Sequence, residues 1–347
     1  MSPLVLTTLI LSLGLGTVIT FSSSHWLLAW MGLEINTLAI LPLMSKDHHP
    51  RAVEATTKYF ITQATAAAMI LFASTTNAWI TGEWNIQELA SPISVSMITF
   101  ALALKLGLAP IHFWLPEVLQ GLDLLTGLVL STWQKLAPMA LLLQLPQVSP
   151  LLTTFLGALS MLVGGWGGLN QTQLRKILAY SSIAHLGWMI IILKFDPLLT
   201  LLSLMLYIFM TTSAFMTLHA ADSTTMNSLA TSWSKTPALT AFFPLLVLSL
   251  GGLPPLSGFM PKWLILQELT KQGLPLLASF SALSALISLY FYLRLSYTMT
   301  LTSPPTTTAS AIPWRLYYYK STLLLAFAIS ASVLLLPLTP TIIALYR

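Results

Sequence analysis

"GGLPPLSGFMPKW" runs from Gly251 to Trp263, inside an apolar stretch (237–269) too long for one straight membrane helix. Glycine and proline crowd it, and it carries a single lysine, Lys262. Proline removes a backbone donor and clashes with the preceding turn, so a helix cannot pass through unbroken. Backbone groups freed at membrane depth are tolerated only inside protein or beside water. A break and a positive charge at one place therefore point to a hydrated interior site.

The composition agrees with that reading. The 347 residues are 56% hydrophobic and 7% charged, with a mean hydropathy of +0.81. Soluble domains carry about 25% charged residues. Repeated apolar runs of ~20 residues predict an all-α polytopic membrane protein. The ten-residue alternation of a membrane barrel is not seen. There is no cysteine, which excludes disulfides, thiolate zinc and cysteine-ligated iron–sulfur clusters in this chain. No G-x-G-x-x-G follows a strand, and there is no P-loop or HExxH, so no cofactor or metal is expected here. "GGWGG" (164–168) reads as a helix-packing cluster, and the eleven tryptophans read mostly as interfacial anchors. The net charge of +5 reflects which side the loops face rather than a nucleic-acid partner.

Eleven spans are predicted, at about 3–21, 25–45, 58–80, 92–120, 124–145, 150–169, 174–194, 197–220, 237–269, 274–300 and 321–346. The first lacks a basic flank and reads as a mature helix rather than a leader. They form a single membrane domain, 1–347, joined by polar connections of which 46–58, 221–235 and 300–320 are the longest. Lys46, Arg51, Lys58, Arg175, Lys176, Lys235, Arg294, Arg315 and Lys320 fall on the N-terminal side. Lys194, Lys271 and Arg347 fall on the other, which puts the N-terminus on the positive side and the C-terminus opposite.

"GLAPIHFWLP" (107–116) aligns without a gap with "GLPPLSGFMP" (252–261), at an offset of 145 residues. The alignment predicts two five-helix repeats, at about 1–147 and 148–300, each with a broken helix. An odd number of spans inverts the second copy, and a C-terminal helix at about 321–346 follows. Inverted repeats with matched broken helices are a transporter architecture.

Of 15 basic and 10 acidic residues, only Glu34, Lys105, Lys135 and Lys262 fall deep inside predicted spans. Each costs on the order of 3 kcal/mol at a helix centre. They are either paired charges that orient helices or a proton relay, since intramembrane ionisable residues are functional by default. Low dielectric disfavours the charged form of an amine, so a buried lysine can exchange a proton. His112, inside the first break, and His185, in "SSIAHLGW", are secondary candidates, with a hydrogen-bonded core role the alternative for His185. His48, His49 and His219 read as solvated or helix-end residues.

"LKLGLAPIHFWLPEV" with Lys105, "GLPPLSGFMPKW" with Lys262 and "WMGLE" with Glu34 resemble the antiporter-like subunits of respiratory complex I, relatives of Mrp-type cation/proton antiporters. The resemblance covers essentially the whole chain. Bacterial members have fourteen spans, so their first three would be missing here. The resemblance implies proton conduction along a central line of Glu34, Lys105, Lys135 and Lys262, coupled to quinone reduction in other subunits. Glu34 would pair with Lys105, Lys135 would connect and Lys262 would lie on the exit side. It implies that NADH, FMN, iron–sulfur clusters and ubiquinone belong to partner subunits. Other membrane-arm subunits, accessory subunits and membrane lipid, cardiolipin included, would be the neighbours. The location implied is the mitochondrial inner membrane, with the N-terminus in the matrix and the C-terminus in the intermembrane space. Rival readings are a stand-alone cation/proton antiporter and a structural scaffold of the membrane arm. One departure matters: Lys105 precedes the shared motif and Lys262 follows it, so the two are not residue-for-residue equivalents.

Overall fold

The computed structural model describes residues 2–45, 49–89, 91–145, 149–234, 237–301 and 323–346. Lys46, His48, Lys235, Arg315, Lys320 and Arg347 lie outside the described residues, as does most of the 300–320 connection. Every longer regular element is a helix, and extended pairing among the described residues is limited to two single bridges, His25 with Asn85 and Gln173 with Thr225. The chain divides into two compact units, residues 1–160 and 161–347.

The first unit holds α1 (Pro3–Ser22), α2 (Trp26–Met44), α3 (Pro50–Thr81), α4 (Pro92–Leu106), α5 (Trp114–Gly121), α6 (Leu124–Gln144) and the start of α7 (Pro150–Gly168). Small residues let α1 and α2 approach closely. A Cβ at Gly16 would collide with the Asn36 side chain, and one at Gly32 would meet Thr20 Cγ2 at 2.6 Å. Such contacts drive helix association where lipid removes the hydrophobic incentive. The tyrosine ring of α3, Tyr59, lies 5.7 Å from Trp114 of α5, and Trp26, Ile70, Ile98 and Leu102 fill the core.

The second unit completes α7 and adds α8 (Leu174–Ile192), α9 (Pro197–Ala220), the single turn α10 (Met226–Ala230), α11 (Pro237–Gly251), α12 (Phe259–Lys271), α13 (Pro275–Thr300), α14 (Leu323–Leu334) and α15 (Thr339–Tyr346). Helix α8 is apolar around most of its circumference and is buried along nearly its whole length. Trp188, Ile191 and Ile192 of α8 pack with Ile265 and Leu269 of α12 and Ala278 of α13. Gly164 and Gly168 bring α7 close to Ala184 of α8 and Phe291 of α13, a packing role for the glycine cluster. Leu325 and Ile329 of α14 close over Leu246 of α11.

Five helices, α1, α2, α7, α9 and α13, are long and apolar enough to cross a membrane, and α4, 238–251 and α14 are shorter apolar helices. The structure corrects two boundaries. The connection expected at 46–58 is helical from Pro50, because Pro50 occupies the first helical position and His49 caps it through Nδ1, accepting from Arg51 N at 3.2 Å. The last helix, expected unbroken over 321–346, splits at Leu335 into α14, a short 3₁₀ turn (Leu336–Leu338) and α15. Pro337, with no N–H to donate, sits in that turn.

Gly14 and Gly16 separate packing from composition. No atom would lie within 4 Å of a Cβ at Gly14, whereas Gly16 is filled by Asn36. Gly14→Ala is expected to leave the level of folded protein unchanged, and Gly16→Ala to cost about 1–3 kcal/mol through overpacking. Quantifying membrane-extracted, folded protein for each variant checks this.

Candidate functional site

The two broken helices end in the same way. Gly107 has φ +79°, and its N–H donates to Ala103 O (3.0 Å) and Leu104 O (3.1 Å), while Leu108 N donates to Ala103 O (3.0 Å). At the offset of 145, Gly252 has φ +79°, and its N–H donates to Leu248 O (3.1 Å) and Ser249 O (3.0 Å), while Leu253 N donates to Leu248 O (3.3 Å). This closure needs a left-handed residue, the conformation that costs other L-residues about 1–2 kcal/mol. Glycine at both positions is thus a backbone requirement.

Side-chain donors add to these backbone closures, and here the breaks diverge. In the first, the buried indole of Trp114 donates from Nε1 to Leu104 O at 3.1 Å. In the second, Phe259 stands at the position matching Trp114 and has nothing to donate. Lys262 reaches back instead, and its Nζ donates to Gly251 O at 2.8 Å and Leu250 O at 3.4 Å. An ammonium at the negative end of a helix dipole is favourable. Leu250 is the counterpart of Lys105 in the alignment. So although the lysines stand on opposite sides of their breaks in sequence, both belong to the C-terminal end of the half-helix that precedes the break.

In the first unit Lys105 and Lys135 line one small cavity, of about 10 Å³ of space open to a water's centre, together with Asn36, Tyr59, Gln63 and Gln134. Lys105 is 6% and Lys135 3% exposed. Lys105 Nζ makes no hydrogen bond. Helix α6 passes through Pro138 without breaking, and Pro138 lines the same cavity. Glu34 is half-buried on α2, and its charge bears on both Lys105 and Tyr59. Its Oε2 makes no hydrogen bond either. The expected Glu34–Lys105 pair is therefore not a direct ion pair; the two charges interact without contact. His112 is buried within the break, 3.3 Å from Pro110 O through Nδ1, and does not line the cavity.

In the second unit Gly251, one of the residues that Lys262 caps, packs on a buried tyrosine. The Lys262 chain packs on Gly252, and Gly251 faces Tyr292. Tyr292 and Tyr207 are both fully buried. The His185 ring lies 5.7 Å from that of Tyr207. Asn36, Tyr59, Gln63, Gln134, Tyr207 and Tyr292 were not picked out by charge, because they carry none. A search for carboxamides and phenols inside apolar runs would have found them.

The position matching Lys262 in the first break is Glu117, which lies outside the buried site. It pairs with Lys58 at 2.7 Å, and Lys58 also meets Glu54 at 2.7 Å. The hydrogen bond and then the charge of Lys58 hold the Glu54 carboxyl below its usual range. The hydrogen bonds that it donates to Glu117 and then Glu54 push the Lys58 ammonium up. Among the described residues no group of three His, Cys, Asp or Glu could hold a metal.

Residues 23–288 match the NADH:quinone oxidoreductase/Mrp antiporter transmembrane family, and 289–343 match the NADH dehydrogenase subunit 2 C-terminus. The chain belongs to this family. It is 67% identical over 346 residues, 99% of each chain, to NADH-ubiquinone oxidoreductase chain 2 of Oncorhynchus mykiss. It is 66% identical over 347 residues, the full length of both, to the same protein of Tetraodon nigroviridis. A chain of respiratory complex I from Thermus thermophilus superposes with a TM-score of 0.80 at 30% identity, covering 95% of this chain and 78% of that one. A chain of the Mrp complex from a Dietzia species shares the fold, with a TM-score of 0.80 at 19% identity over 87% of this chain and 61% of that one.

Two outcomes follow from the site's geometry. Lys262→Met removes a charged cap and should cost about 1.5–3 kcal/mol, read as less folded protein. For the exposed triad, depression of Glu54 makes its contribution complete above the ordinary carboxylate value of 4.5 and lost as pH falls below it. Elevation of Lys58 makes its contribution complete below 10.5 and lost only above it. Lys58→Met should therefore leave the pH dependence of stability unchanged between pH 6 and 9, as thermal melts of the two proteins will show.

Proposed function

We propose that the chain is the antiporter-like membrane subunit of a mitochondrial NADH:ubiquinone oxidoreductase and that it conducts protons through Glu34, Lys105, Lys135 and Lys262. The observation that carries this reading is the cavity shared by Lys105 and Lys135, two buried amines facing one water-sized space. Family membership and full-length similarity to NADH-ubiquinone oxidoreductase chain 2 support it. Catalysis in the redox sense belongs to other subunits of the oxidoreductase, where NADH, FMN, iron–sulfur clusters and ubiquinone are held.

Each lysine acts as a proton carrier. An ammonium releases a proton to an adjoining water, the water passes one to the next amine, and a neutral amine is left to be reloaded. Glu34 biases the first lysine by its charge, and a change in its distance or hydration alters how readily Lys105 lets its proton go. Lys135 is the connecting carrier and Lys262 the exit-side carrier, with His112 and His185 in subsidiary positions. The chain crosses the inner membrane eleven times as two inverted five-helix repeats, at about 1–147 and 148–300, plus a C-terminal segment. The N-terminus faces the matrix and the C-terminus the intermembrane space. Its neighbours are other membrane-arm and accessory subunits and the phospholipid, cardiolipin included, of that membrane.

Lys135→Met tests the reading in the assembled complex reconstituted in vesicles. Proton pumping and the quinone reduction coupled to it should fall by roughly 10²-fold, as for removal of a proton-transfer group, with the complex still assembled. A scaffold role predicts unchanged pumping. A stand-alone antiporter predicts cation/proton exchange by the isolated chain in liposomes.

A further inference from the structure

Asn36 and Gln63 are buried carboxamides, 2% and 3% exposed, on α2 and α3. Neither amide atom of Asn36 makes a hydrogen bond, nor does Gln63 Nε2. With Lys105 Nζ and Glu34 Oε2, five buried polar atoms in one region make no hydrogen bond to protein. Three of the four residues line the same cavity. Leaving one such group unsatisfied costs about 1–3 kcal/mol, so the four atoms on the three cavity-lining residues call for a partner inside the cavity.

The cavity defines that partner. Its ~10 Å³ is close to the least that holds one water, and a buried water needs two to four polar partners. The donors and acceptors are complementary: Lys105 Nζ and Gln63 Nε2 can donate, and Asn36 Oδ1 can accept. Asn36 is held in place by Gly16, whose missing side chain leaves the space its amide fills, and Gln134 Nε2 donates to Asn36 O at 3.2 Å.

We propose that Asn36 and Gln63 form a binding site for one ordered water that joins Lys105 to Lys135, and that the two carboxamides act as positioning residues for proton transfer. The inference rests on the relay reading above. A carboxamide does not titrate near neutral pH, so it can orient the water without trapping the proton that passes. A carboxylate at either position would orient it equally well, but its charge would keep the proton on Lys105 until a higher pH. That distinction separates this role from simple packing.

The test uses the assembled complex in proteoliposomes. Asn36→Leu and Gln63→Leu should each slow proton pumping of the order of tenfold, as for a misplaced reacting group, with the amount of complex unchanged. Gln63→Glu keeps the shape and hydrogen bonding but adds a titrating group facing Glu34 of α2, Tyr59 of α3, Lys105 of α4 and Lys135 of α6. It should retain pumping with its pH–rate profile displaced to higher pH. Wild-type rates in both leucine variants, with Lys135→Met defective, would overturn the water site alone. Normal pumping by Lys135→Met overturns the relay and the water site with it. If the leucine variants do not assemble, Gln63→Glu decides: a displaced profile supports the site and an unchanged one refutes it.

Discussion

A helix that ends inside a membrane must find donors for its last carbonyls, and the arrangement of the buried charges follows from how this chain meets that demand. Water cannot reach the hydrocarbon, so each unpaired backbone group there costs several kcal/mol. Both broken helices first satisfy this with a left-handed glycine, Gly107 or Gly252. An indole adds a bond to Leu104 O at the first break, and an ammonium binds Leu250 O and Gly251 O at the second. At the first break Lys105 is left free of hydrogen bonds and faces a cavity. At the second, Lys262 is committed to the carbonyls of Leu250 and Gly251.

The two lysines are placed asymmetrically in the alignment. Lys105 and Lys262 differ by twelve positions relative to the shared motif. Because Lys262 folds back over its break, its ammonium lies beside the carbonyl of the residue matching Lys105. The ammonium differs in its point of attachment and shares its place at the helix end. Glu117, freed of that place, carries a surface ion pair with Lys58 instead.

Much of this was legible in the residues. Apolar runs and glycine–proline clusters place the helices and both breaks to within a few residues, because lipid permits few alternatives to a helix. The start of α3 was missed because "HPRAVEATTK" is polar and continues a helix beyond its apolar part, with the start set by His49 and Pro50. The split at Leu335 was missed because one proline in an apolar run does not dictate a break, as Pro138 shows inside an intact α6. The four charges stood out by their cost. The carboxamides Asn36 and Gln63 did not, since an uncharged polar residue in a span is cheap enough to pass for packing until its missing partners are counted.

Proton transfer at both breaks requires water. A structure of the assembled complex that resolves ordered waters tests this most directly. Water is expected within hydrogen-bonding distance of Lys105 Nζ in the Asn36–Gln63 cavity, and beside Lys262 Nζ at the end of α11. Side chains or lipid packed against both ammonium groups, with no ordered water at either, would contradict it.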